Sequence, residues 1–113
     1  MSTVHVRNGH LEVRLSPFEK LFGRVRDQVV PTAAVTDVQV VPDGLVAATG
    51  LRAPGLALPG RRKVGTWRGR GVTRFVCVRR GEPALRIAVS GSRFDELVVS
   101  TPDADAVAAQ LRG

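Results

Sequence analysis

Tyrosine is absent from this chain of 113 residues, and its aromatics are four phenylalanines and one tryptophan. The core must therefore be built from valine, leucine, isoleucine and alanine, and the clustered valines favour strands. There is one cysteine, so neither an intramolecular disulfide nor a cysteine-cluster metal site can form. Cys77 lies in the apolar run Phe75-Val76-Cys77-Val78 and reads as a buried small hydrophobe, not a reactive thiol. No apolar run approaches the ~20 residues that span a bilayer. The opening Met1-Ser2-Thr3-Val4-His5 lacks a basic region followed by an apolar stretch, so it does not read as a signal peptide, and the expected compartment is the cytoplasm. A Gly-x-Ser-x-Gly elbow and a Walker lysine loop are missing as well. Gly69-Arg70-Gly71 begins like a dinucleotide-binding glycine fingerprint, but Arg74 occupies the third glycine position and a strand follows where a helix is needed.

What is present fits one globular domain over residues 1–113, with 43% hydrophobic and 24% charged residues. A chain of this size buries roughly two-thirds of its unfolded surface, enough for one core without staples. The formal net charge is +7, and Lys20 and Lys63 are the only lysines. Two explanations stay open: a GC-rich genome that favours arginine codons, or attraction to phosphates on nucleic acid or lipid headgroups.

Asn8-Gly9 signals a two-residue hairpin, because a type I′ turn needs φ > 0 at both central residues. The register it sets pairs Arg7 with His10, Val6 with Leu11, His5 with Glu12 and Val4 with Val13. That places the four apolar residues on one face and the polar ones on the other. Ser16, Pro17 and Glu19 predict a short capped helix that Gly23 ends. Strands are expected near Val25–Val30, broken at Pro31, and at Ala34–Val41. Pro42–Gly60 reads as a proline-broken loop over the core edge, with room for a short strand near Leu45–Ala48. From Lys63 the pattern is a meander: Lys63–Arg68, Val72–Arg79, Ala84–Ser90 and Phe94–Ser100. Thr101 and Pro102 open a final helix over Thr101–Arg112, with Asp103 and Asp105 at its positive end. Ala104, Val107, Ala108 and Leu111 form its apolar stripe.

About seven short strands capped by a C-terminal amphipathic helix resemble a pleckstrin-homology-like (PH-like) barrel of two antiparallel sheets. Leu15-Ser16-Pro17-Phe18-Glu19, Pro31-Thr32-Ala33-Ala34-Val35-Thr36-Asp37-Val38 and Leu97-Val98-Val99-Ser100-Thr101-Pro102-Asp103 look like the corresponding stretches of small bacterial PH-like proteins. The resemblance implies a non-enzymatic module that binds an anionic lipid, a peptide or a protein at a membrane periphery or in solution. It also implies self-association into a homo-oligomer.

The residues themselves assign no catalytic, cofactor or metal role. His5, His10 and Glu12 share the polar face of the first hairpin, where a zinc site and a plain solvated face are both open readings. The constellation worth testing is basic. Arg52, Arg61, Arg62, Lys63, Arg68 and Arg70 surround Trp67, which could stack on a base or sit at a membrane interface, or simply fill the core. Five of these cations, Arg61, Arg62, Lys63, Arg68 and Arg70, are expected to converge on one rim. The alternative to the PH-like module is a nucleic-acid-binding small β-barrel of the OB type. A small hydrolase or lyase is a third reading, with no nucleophile–base pair behind it.

Overall fold

The computed structural model describes residues 3–15, 27–42, 51–58, 62–69, 71–79, 81–91 and 93–112, with side chains at these positions apart from 3, 51–58, 62 and 63. The described residues form β1 (Thr3–Arg7), β2 (His10–Arg14), β3 (Gln28–Pro31), β4 (Val35–Val41), β5 (Leu51–Leu58), β6 (Arg62–Gly69), β7 (Val72–Arg79), β8 (Ala84–Val89), β9 (Glu96–Ser100) and helix α1 (Ala104–Arg112). A 3-10 turn over Thr32–Ala34 joins β3 to β4. The fold is mainly β: a three-stranded sheet β1-β2-β3, a six-stranded sheet β4-β8-β9-β7-β6-β5, and the C-terminal helix.

The first hairpin has the register its turn dictates, from Arg7 opposite His10 to Thr3 opposite Arg14. Asn8 and Gly9 take φ of 52° and 74°, the two positive values a type I′ turn requires. Val4, Leu11 and Val13 are buried beneath it. The helix predicted over Ser16–Gly23 and the short strand near Leu45–Ala48 lie outside the described residues.

Three expectations change. There are nine strands among the described residues in place of about seven. The segment expected to be a loop contributes β5, an eight-residue edge strand antiparallel to β6. Its proline is accommodated by a register shift: Ala53 opposes Thr66 and Gly55 opposes Gly65, leaving Pro54 as the extra residue. Edge strands and bulges are where a residue without an N–H donor does least harm. Gly65 opposite the bulge has φ of 145°, a conformation that a side chain would strain.

The third change is topological. The segments after residue 63 do not form an antiparallel meander. β9 sits between β7 and β8, parallel to β7 and antiparallel to β8. Burial explains the placement. Leu97, Val98, Val99 and Ser100 are all buried, as are Phe75, Val76, Cys77 and Val78 on β7. Strands apolar on both faces belong in the middle of a sheet covered on both sides, and such strands pair in parallel when the connections allow. β8 instead alternates, with Leu85, Ile87 and Val89 buried against half-exposed Arg86 and Ala88.

The main core joins both sheets and the helix: Leu11, Val13 and Val30 meet Phe75, Cys77, Leu85, Ile87, Leu97 and Val99, with Val107 and Ala108 of α1. Phe75 and Phe94 meet edge to face at 5.5 Å. A second cluster of Trp67, Val76, Val78, Ala84 and Val98 occupies the opposite face of the large sheet. The Thr101 hydroxyl accepts a hydrogen bond from the Asp103 N–H, so the chain turns at Thr101–Asp103 and the helix proper starts at Ala104. α1 packs on β4, β1 and β8. Ala104, Val107 and Ala108 are buried, whereas Leu111 is half-buried at the edge of the core.

This ranking predicts the cost of charge in the stripe. Val107→Asp places an unpaired carboxylate in the core and should lower stability by about 3 kcal/mol or more, and Leu111→Asp by about half of that, because its carboxylate reaches water. Urea denaturation of both variants checks the order, and equal costs would mean that α1 docks differently.

Candidate functional site

Between Gly44 and Gly81 the sequence contains nine basic residues and no acidic one. This run supplies β5, β6 and β7, which are consecutive neighbours at one side of the large sheet. Outside this run the chain has eight basic and ten acidic residues, so its positive surplus comes from the run. At the far edge of the sheet β4 carries Asp37, and α1 begins with Asp105 in its first turn. The basic run therefore lies on the β5 side of the large sheet.

Register locates the candidate residues. Arg52 lies opposite Trp67, Arg62 opposite Leu58 and Arg79, Lys63 opposite Ala57 and Val78, and Arg68 opposite Leu51 and Thr73. Arg61 and Arg70 lie outside the described residues. The described cations do not share one rim. Arg62 and Arg68 stand six residues apart on one strand, about 20 Å at ~3.3 Å per residue. The basic residues therefore line the length of β6, with Arg62 and Lys63 at one end and Arg68 at the other. Trp67 is 3% exposed and packed among Val76, Val78, Ala84 and Val98, so its ring is core and not a stacking platform.

Two arrangements escaped the sequence reading. The first is an ion triad across three strands. Glu96 Oε1 accepts hydrogen bonds from Arg74 Nε on β7 at 3.0 Å and from Arg86 Nε on β8 at 2.9 Å. Glu96 lies on the strand between them, so the residue that separates the two arginines also neutralises one of them. The second is Arg79 at the end of β7, directly opposite Arg62. Both follow from pairings between strands distant in sequence. The Arg62–Arg79 pairing is nonetheless legible by counting back from the two-residue connection Arg70-Gly71.

On the outer face of the small sheet Glu12 is held by Arg14 at 3.0 Å and Arg7 at 3.3 Å. The Arg14 hydrogen bond, aided by the nearby charges of Arg7, Arg14 and His5 and opposed by desolvation, keeps Glu12 below the usual carboxylate range. A depressed carboxylate stabilises the fold above its ordinary pKa, and that contribution is lost as pH falls through the lowered value. His10 Nδ1 lies 3.0 Å from the Asn8 carbonyl, which fixes the hairpin turn when that nitrogen carries the proton.

No α-helix among the described residues is long and apolar enough to cross a membrane. Family models, curated proteins and solved structures provide no match to this chain.

The triad makes a stability prediction. Arg74 and Glu96 side chains are 13% and 15% exposed, and Arg86 36%. Glu96→Ala should cost about 2 kcal/mol, because it removes the carboxylate to which the largely buried Arg74 donates. Arg74→Met combined with Glu96→Met should recover much of that loss, since the better-solvated Arg86 tolerates the change. Urea denaturation measures both, and a double variant no better than Glu96→Ala would show that Arg86 also depends on Glu96.

Proposed function

We propose that this chain is a non-enzymatic binding module of the PH-like type that engages an anionic partner through its β5–β6–β7 side. One observation carries the reading: a stretch with nine basic residues and no acid supplies three adjacent strands, and six of the nine, Arg52, Arg62, Lys63, Arg68, Arg74 and Arg79, lie within those strands. Such a surface produces a potential of several kT that attracts polyanions. Arginines scattered by codon usage alone would have no reason to concentrate in one long stretch free of acids. The PH-like assignment draws support from two sheets sharing one core, with a C-terminal helix packed against both. It stands beside a mixed strand order in which β9 separates β7 from β8. The nucleic-acid alternative relied on Trp67 as a stacking platform, and a ring that is 3% exposed offers no face to a base.

Anionic lipid is the partner to test first. Cosedimentation with phosphatidylserine vesicles should show binding at low salt that disappears at high salt, with none to phosphatidylcholine. Each basic residue near an anionic surface contributes about 1 kcal/mol, so replacing Arg61, Arg62 and Arg70 together by alanine should weaken binding on the order of 100-fold. Absence of binding at low salt, to vesicles and to an acidic peptide alike, would sink the reading.

A further inference from the structure

Asn8 is the only asparagine in the chain, and a glycine follows it. Both residues are exposed at the tip of the first hairpin, and nothing lies within 4 Å of where a Gly9 side chain would stand. The pair that sets the turn is also a reactive pair. A backbone nitrogen that belongs to glycine meets little steric resistance when it attacks the side-chain amide one residue back. Asparagine is for this reason among the thermolabile residues.

Ring closure joins the Gly9 nitrogen to Asn8 Cγ, so that nitrogen must lie on the Cβ side of the Asn8 Cα–C bond. The folded turn holds it on the other side. Asn8 and Gly9 have φ of 52° and 74°, and the first central residue of a type I′ turn has ψ of about 30°. At that ψ the Gly9 nitrogen is nearly anti to Asn8 Cβ and out of reach of Cγ. Side chains and backbone then fasten both carbonyls of the turn. The Gly9 carbonyl accepts the Thr32 N–H at 2.9 Å and the Thr32 hydroxyl at 3.2 Å. The Asn8 carbonyl has His10 Nδ1 at 3.0 Å. Thr32 begins the 3-10 turn after β3, so the tip of the β1–β2 hairpin is clasped to the end of the third strand.

We infer that Asn8 is a modification site, a spontaneous deamidation that the closed hairpin tip holds off and that local opening of the tip releases. In the open tip the Gly9 nitrogen gives its proton to solvent and bonds to Asn8 Cγ. The Cγ–Nδ2 bond breaks, and the side-chain nitrogen leaves as ammonia. One water molecule then opens the cyclic imide. Attack at Cγ breaks the new bond and leaves aspartate. Attack at the Asn8 main-chain carbonyl breaks the original peptide bond and leaves isoaspartate, with Gly9 linked through Cγ. Aspartate before glycine suits the same turn. Isoaspartate does not, because its extra methylene enters the main chain of the two-residue loop that sets the pairing from Arg7–His10 onward. Val4, Leu11 and Val13 are buried through that register, and α1 packs on β1. The isoaspartate branch therefore turns a transient opening of the tip into a permanent loosening of the small sheet.

The test incubates the full chain at mildly alkaline pH, with and without urea, and follows ammonia release and the mass of the peptide that contains Asn8. Ammonia distinguishes Asn8 from Asp43-Gly44, which forms the same imide with loss of water only. Asn8 should convert readily in urea and at least about tenfold more slowly in the native protein. A persisting amide in urea would overturn the site, and equal rates in the two conditions would overturn the protection. Thr32→Val removes the hydroxyl donor to Gly9 while keeping the shape of the side chain, and it should speed native conversion several-fold. Leu111→Ala weakens the fold from α1 and should leave the native rate close to that of wild type. An unchanged rate in Thr32→Val would overturn the clasp, and equal acceleration by both variants would assign the reaction to global unfolding and overturn the local opening. The isoaspartate form, separated by chromatography and refolded, should melt several degrees below Asn8→Asp, which should melt close to wild type. Equal melting of the two would overturn the loosening of the sheet.

Discussion

Strand β9 is the piece on which the large sheet depends. It is hydrogen-bonded on both sides, buried on both faces, and joins an antiparallel half to a half that it enters in parallel. Without it β7 and β8 would have no partner between them, and the β4 and β5 sides would be separate ribbons. Its single charge, Glu96, is met by one arginine from each neighbour. A lone carboxylate on a central strand would be prohibitive, and a pair of unneutralised arginines flanking a central strand would be worse. The triad therefore specifies which strand lies in the middle as well as stabilising it there. Asp95 reinforces the same choice, its carboxylate accepting the Thr73 N–H and its own N–H donating to the Thr73 carbonyl.

The consequence for function is a division of charge. Because β9 and β7 meet at the centre, the strands that follow outward, β6 and β5, come from the acid-free part of the chain. The strand at the opposite edge, β4, comes from a different region and lies under the helix. Arg112 at the end of that helix donates to the Val38 carbonyl, covering part of the β4 edge. The basic side has no such cover from α1. The place of the acid-free run at one side of the sheet is thus a product of strand order, not of local sequence alone.

How far the residues revealed this differs from element to element. The first hairpin was legible to the residue, since Asn8-Gly9 demands one turn type and the turn demands one register. The alternation of Leu85, Ile87 and Val89 and the stripe of Ala104, Val107 and Ala108 were also legible, because period alone shows which side is apolar. β5 was not: Pro54 and its neighbouring glycines look like a loop until an edge position and a bulge absorb them. The basic residues could be found but not arranged. The residues could not show that β6 is eight residues long, which spreads its basic residues toward its two ends.

The sequence by itself determined the local conformations: tight turns set by glycine and asparagine at positive φ, strand faces set by a period of two, a helix set by its cap and stripe. These depend on residues within a few positions of one another. It also held a clue to β9 in the unbroken runs Phe75–Val78 and Leu97–Val99, which mark strands buried on both faces. Only the tertiary structure decided which strands are neighbours. A period of two says which side of a sheet a residue faces and nothing about which strand lies alongside. The burial of Trp67, the Arg74–Glu96–Arg86 triad and the facing pair Arg62–Arg79 all follow from the choice of neighbours, made by packing across the whole molecule.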